Sequence, residues 1–235
     1  MKVPPPDTRR CKMAAARKQV LVEATSLTRR YGPVTALDSL DLKIRAGECL
    51  AMMGPNGSGK TTAAELVSGL LEPSTGRVEV LGRSIHHEPE AIAARRELAY
   101  VPDTARLYDD LTVADHLELV AAAHGVADKD LVERAGELLE RLDLTDRAEF
   151  FPSQLSRGMR QKTAIACALI RPFSVLVLDE PVVGLDSDSV EVLREVLLEC
   201  LKADKAVLLM THSETFASSV ATRFLRIEEG RLVGA

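Results

Sequence analysis

The chain has 235 residues, 46% of them hydrophobic and 28% charged, with a formal net charge of -5 and a pI of about 5.6. A disordered chain would be poorer in apolar residues, so one large globular domain is expected, and the acidic balance argues against nucleic acid as a partner. Four scattered cysteines (Cys11, Cys49, Cys167, Cys200) show no CxxC or Cys/His spacing, which excludes a zinc module and reads as reduced thiols.

Residues 1–18 combine Pro4-Pro5-Pro6 with five basic residues from Arg9 to Lys18 and lack the apolar core of a signal peptide, so a flexible tail is expected, with the domain over 19–235. Alternation and β-branched residues predict strands near Val20–Ser26, Leu37–Ile44 and Glu48–Met52. A helix follows over Thr61–Leu71, then strands at Gly76–Leu81 and Leu98–Val101. His86-His87, with Glu88 beside it, reads as solvated loop rather than a metal site. From Val113 to Leu142 the apolar spacing changes to three and four, the mark of a helical insertion. A further helix starts at Ser156, and Val175–Leu178, a helix near Ser189–Ala203, Ala206–Met210 and Phe224–Glu229 complete the pattern. No stretch approaches the ~20 apolar residues of a membrane-spanning helix, and a cytoplasmic protein is expected. Strands alternating with helices predict an α/β fold with a mainly parallel sheet, interrupted by a helical subdomain over about residues 104–158.

Gly54-Pro55-Asn56-Gly57-Ser58-Gly59-Lys60-Thr61 fits GxxxxGK[ST] in full, between an apolar strand and a helix. A triphosphate is a dense anion that needs many backbone N–H groups. Glycines let the backbone approach and form the nest, and the helix N-terminus adds its dipole. Lys60 is expected to reach the β- and γ-phosphates, Thr61 to ligate Mg²⁺, and Thr62 to belong to the same nucleotide-binding set. Val175-Leu176-Val177-Leu178-Asp179-Glu180 is an apolar strand ending in two acids. Adjacent carboxylates at a buried strand end need a cation, which Mg²⁺ with ATP supplies. Asp179 is then placed to hold the metal and Glu180 to polarise the attacking water.

Many phosphate-loop proteins share those two elements; Leu155-Ser156-Arg157-Gly158-Met159-Arg160-Gln161 narrows the field, because it resembles the LSGGQ signature of ABC ATPases. Tyr31, in Arg30-Tyr31-Gly32, resembles that family's adenine-stacking aromatic; Gly184-Leu185-Asp186 resembles its D-loop and Thr211-His212-Ser213 its switch-histidine motif. The resemblance spans about residues 20–233 and implies a phosphate-loop NTPase core with an N-terminal antiparallel β subdomain. It implies an ATP-hydrolysing subunit with ATP and Mg²⁺ as cofactors, working on the cytoplasmic face of a membrane beneath a separate permease. It also implies a second copy, whose Ser156 and Gly158 cap the γ-phosphate held by the first copy's loop, with His212 contacting that phosphate.

Two departures stand out. Arg157 and Met159 replace the usual glycine and glutamine, a pattern similar to exporters of drugs, polysaccharides and haem. Asp103, after Tyr100-Val101-Pro102, stands where the family has its Q-loop glutamine; aspartate can still ligate Mg²⁺ but cannot donate a hydrogen bond when ionised. A non-transport ABC-type switch, such as an iron–sulphur assembly ATPase, is the second reading, and a binding-only pseudo-ATPase the third. A GTPase would need an Asn-Lys-x-Asp motif that the chain lacks.

Overall fold

The computed structural model describes residues 18–233. The expected N-terminal tail lies outside the described residues except for Lys18, whose ammonium pairs with the Asp204 carboxylate at 3.0 Å. Cys11 also lies outside them; Cys49 and Cys200 are buried, Cys167 is partly buried, and all three are free thiols.

Two sheets organise the fold. The first pairs β1 (Val20–Tyr31) with β2 (Val34–Arg45) and β4 (Thr75–Val80), all antiparallel, with the short β5 (Arg83–Ser84) at its edge. β1 runs past the expected end at Ser26, whose φ of 48° lets the chain bulge and resume pairing at Leu27. The polar run Ser26, Thr28, Arg29, Arg30 hides that continuation from an alternation count.

The second sheet has the order β10-β9-β3-β8-β7-β6, with β3 (Cys49–Met53), β6 (Leu98–Val101), β7 (Val175–Asp179), β8 (Ala206–Met210) and β9 (Arg223–Glu228) parallel and β10 (Arg231–Val233) antiparallel at the edge. β7 and β8 are buried throughout, as strands covered on both faces must be, which is why they read as unbroken apolar runs. Alternation then divides their side chains between two cores. Val175, Val177, Ala206, Leu208 and Met210 face the antiparallel sheet and α1 (Lys60–Val67); Leu176, Leu178, Val207 and Leu209 face the helices.

The helical core gathers α3 (Val113–Ala123), α4 (Asp128–Arg141), α5 (Arg157–Leu169) and α6 (Ser187–Lys202). Thr112 and Asp115 form a capping box that starts α3: the Asp115 N–H donates to Thr112 Oγ1 at 3.1 Å and the Thr112 N–H to Asp115 Oδ2 at 2.9 Å. The insertion is two helices, the chain turning at Gly125 with φ 71°. Two short helices were not expected from the sequence, α2 (Ala91–Arg96) and α7 (Glu214–Val220). Both are shorter than two helical turns and carry little periodicity. α1 ends at Val67 rather than Leu71, because the chain turns at Gly69 (φ 70°), where a Cβ would press on Ile85.

The pair His86-His87 is only half solvated. His86 is buried, its Nε2 3.0 Å from the Leu71 carbonyl oxygen, and burial holds the imidazole below its ordinary pKa. The loop folds back on the end of α1, a long-range contact with no local sequence signal. Among the described residues no helix is long and apolar enough to cross a membrane.

Candidate nucleotide-binding site

β3 delivers the chain to Gly54 at the carboxyl end of the parallel sheet, and α1 leaves at Lys60. Between them the backbone is tightly constrained. Gly59 has φ 104°, and a Cβ there would lie 2.6 Å from the Ala36 carbonyl oxygen. A Cβ on Gly54 would collide with the Ile227 carbonyl oxygen. Only glycine allows both the conformation and the approach. The loop opens onto a cavity of about 350 Å³ lined by Asn56, Gly57, Lys60, Thr61, Thr62, Asp103 and Glu180, with Ala36 and Gly59 completing the wall.

Lys60 is buried and donates to the Gly54 and Pro55 carbonyl oxygens at 2.8 and 3.0 Å, with its Nζ 3.9 Å from Glu180 Oε1. Ser58 Oγ is buried without a partner. Beneath the loop, Asp179 is fully buried and neither carboxylate oxygen has a hydrogen-bond partner. Burial pushes its carboxyl up; the nearby Thr61 hydroxyl, outside hydrogen-bond geometry, opposes the shift, the negative charges of Asp103 and Glu180 add to it, and the Lys60 charge opposes it. Orphaned carboxylate oxygens at the floor of an anion cradle fit a hard divalent cation.

Glu180 follows β7 in a left-handed conformation (φ 46°), an uncommon backbone state for a residue with a Cβ. Its N–H donates to the Met210 carbonyl oxygen at 2.8 Å, which anchors the turn to the end of β8. Oε2 lies 2.9 Å from His212 Nδ1 and accepts the His212 backbone N–H at 3.3 Å; Oε1 is buried without a hydrogen bond. Parallel pairing of β7 with β8, Asp179 opposite Met210, is what brings these residues together across 32 positions of sequence.

Ser156 caps α5, accepting the Met159 N–H at 3.2 Å. Gly158 lies so close to Gly184 that a Cβ would enter the carbonyl oxygen of that D-loop glycine. Neither Ser156 nor Gly158 lines the cavity. Tyr31 ends β1 and is 46% exposed, with the Arg29 guanidinium over its ring.

Three contacts here were not expected from the sequence. Gln161 is buried in α5 and its Nε2 donates to the Pro102 carbonyl oxygen at 3.1 Å, tying the signature helix to the residue before Asp103. Lys162, also buried, reaches Asp186 Oδ2 at 3.3 Å. The Asp186 carboxyl is held well below the usual carboxylate range, first by the Ser189 N–H and hydroxyl of the helix it caps and then by Lys162. A polar residue on the buried face of α5 was the available signal for Gln161 and Lys162; the partners were not readable.

The family model described as ABC transporter matches residues 37–183, more than half of the chain. The chain is 31% identical over 212 residues to the ABC-type transporter ATP-binding protein EcsA of Bacillus subtilis, covering 90% of this chain and 85% of that protein. It is 32% identical over 213 residues to the SkfA peptide export ATP-binding protein SkfE of the same organism, covering 91% and 87%. It is 34% identical over 221 residues to the Nod factor export ATP-binding protein I of Sinorhizobium fredii, covering 94% of this chain but only 64% of that protein. Among solved structures, an ATP-binding subunit of an ABC transporter superposes with a TM-score of 0.85 at 33% identity, over 91% of this chain and 88% of the other. A dimeric bacterial ABC transporter cassette superposes with a TM-score of 0.82 at 26% identity, over 91% and 97%. Phosphate loop, acidic strand end and signature helix thus stand on a fold shared with these cassettes, and the chain belongs to the ABC transporter family as an ATP-binding, ATP-hydrolysing subunit.

Proposed function

We propose that two copies of this chain close head to tail on ATP and Mg²⁺, and that this cycle drives export through a separate membrane permease at the cytoplasmic face of the membrane. The observation that carries the reading is the division of one nucleotide site into two halves. The cavity has the loop, Lys60 and Glu180 but no signature residue, while the Ser156-capped end of α5 is a second phosphate-type helix N-terminus outside it. A second copy supplies the missing half to each.

In the closed dimer Lys60 turns from the Gly54 and Pro55 carbonyls toward the β- and γ-phosphates, with the backbone of residues 54–59 and Thr62 around them. Thr61, Asp179 and Asp103 would hold Mg²⁺, which neutralises charge on the phosphate oxygens when bound. Glu180 takes the proton of the attacking water, and His212, at 2.9 Å, holds Oε2 and faces the γ-phosphate. Ser156 and Gly158 of the partner cap that phosphate, and Tyr31 stacks on adenine.

Asp103 should leave this site short of a donor. Restoring it with Asp103→Gln is expected to keep MgATP affinity within about twofold and raise hydrolysis up to about tenfold, the weight of one hydrogen bond. Calorimetry and phosphate release measure the two; an unchanged rate overturns this role.

A groove of about 260 Å³ between β6, α3 and α5, lined by Tyr100, Arg106, Tyr108, Leu119, His124 and Arg171, supports the permease contact. Tyr108 and Leu119 are exposed on it. Its edge is held in place by His116, which accepts the Tyr108 N–H at Nε2 (2.8 Å) while Nδ1 donates to the Thr112 carbonyl oxygen (2.6 Å). Export is supported by the relatives named for Nod factor and peptide export, and by the basic residue at Arg157. The same relatives leave the iron–sulphur assembly reading without support.

The test is a mixture of two defective chains, each also carrying Glu180→Gln so that hydrolysis does not take the dimer apart. Lys60→Ala lacks a working phosphate loop and Ser156→Arg a working signature. Neither is expected to self-associate with MgATP, whereas an equal mixture should form heterodimers through its single intact composite site, read as energy transfer between differently labelled chains. A mixture that stays monomeric, while Ser156→Arg still binds ATP, overturns the head-to-tail reading.

A further inference from the structure

We propose that Arg29 is a positioning residue for the nucleotide base: it holds the Tyr31 ring in the orientation on which adenine stacks. The inference rests on the stacking role given to Tyr31 above and assigns a role to a second residue.

Residues 29 and 31 are two apart on β1 and therefore project from the same face of the strand. The Arg29 Cζ lies 4.5 Å from the Tyr31 ring centroid, so the guanidinium sits over the ring, while Tyr31 as a residue stays 46% exposed. At that distance a planar cation is attracted by the ring's quadrupole. The guanidinium is itself anchored. Nη1 donates to the Glu72 carbonyl oxygen at 2.8 Å, and Nε is buried without a hydrogen-bond partner, hydration surrendered to keep this pose.

Glu72 lies in the turn between α1 and β4, and α1 begins at Lys60 of the phosphate loop. Arg29 thus ties the aromatic at the hairpin end to the chain that leaves the phosphate cradle. The hairpin needs such a tie. Its ladder is irregular, with register shifts between Leu27 and Arg29 and again between Arg29 and Arg30. Gly32, which follows the ring, sits at φ 58° with nothing within 4 Å of a Cβ built on it. Backbone pairing alone therefore fixes the ring poorly. Arg29 fixes one face and leaves the other for a base.

The experiment compares a ligand that has a base with one that does not. Calorimetry gives affinities for MgATP and for magnesium tripolyphosphate in the wild type, Arg29→Met, Arg29→Lys and Tyr31→Ala. Arg29→Met is expected to weaken MgATP about two- to five-fold, the weight of an exposed cation–π contact, and to leave tripolyphosphate unchanged. Arg29→Lys keeps the charge and should recover part of the loss. Tyr31→Ala should weaken MgATP more and also spare tripolyphosphate. If Arg29→Met binds MgATP like the wild type while Tyr31→Ala does not, the positioning role is overturned and the stacking role stands. Equal weakening of both ligands by Arg29→Met makes Arg29 a support of the phosphate loop and likewise overturns it. If Tyr31→Ala leaves MgATP affinity unchanged, the stacking role falls and this inference with it.

Discussion

Glu180→Gln is expected to lower the ATP hydrolysis rate by about two to four orders of magnitude, the contribution of a positioned general base, while MgATP binding survives. Glutamine matches glutamate in shape but cannot take the proton of the attacking water. The position tolerates no looser substitute: the residue is held at φ 46°, its N–H tied to Met210 and its carboxylate to His212, so the side chain returns over the cavity beside Lys60. The carboxylate also repels the triphosphate, and removing its charge favours the loaded state. The variant should therefore accumulate as an ATP-bound dimer in light scattering, while the wild type cycles back to monomer. Phosphate release within a few-fold of wild type would show that another group activates the water.

Gly158→Ala is expected to cost hydrolysis about ten- to a hundredfold while leaving ATP binding to the monomer intact. The added methyl would enter the Gly184 carbonyl oxygen, and the neighbour is backbone, which cannot swing aside as a side chain can. Forced overpacking of this kind costs about 1–3 kcal/mol, and each 1.4 kcal/mol is a factor of about ten. The helix N-terminus capped by Ser156 and the D-loop must part, and both face the partner's nucleotide in the proposed dimer. The monomer's own cavity contains neither glycine, which is why binding is spared. Gly136 is the control. It lies inside α4 with nothing within 4 Å of a Cβ, so Gly136→Ala should be silent in hydrolysis and stabilise the fold by up to about 1 kcal/mol in thermal melting. Hydrolysis by Gly158→Ala at the wild-type rate would detach the signature from the D-loop in the mechanism.

The chemistry was legible because it is written in local patterns. A phosphate loop needs glycines, lysine and threonine in one contiguous run, and a buried parallel strand needs an unbroken apolar stretch, so residues 54–61 and 175–180 declared both identity and setting. The capped start of α5 was visible at Ser156 for the same reason. Short elements were not legible: Ala91–Arg96 and Glu214–Val220 are too short for a period, and Ser26 conceals the bulge through which β1 continues to Tyr31.

The class of the fold, the order of its longer elements and the candidate phosphate-binding residues could therefore be read from the sequence, since each follows from neighbours within a turn or a strand. Which distant groups complete them depends on the packed fold. Parallel pairing of β7 with β8 puts His212 on Glu180, burial leaves Asp179 without a partner, the turn after α1 lends a carbonyl to Arg29, and α5 carries Gln161 to Pro102. Such contacts depend on how strands register and helices pack across the whole chain, and no window of neighbouring residues encodes them.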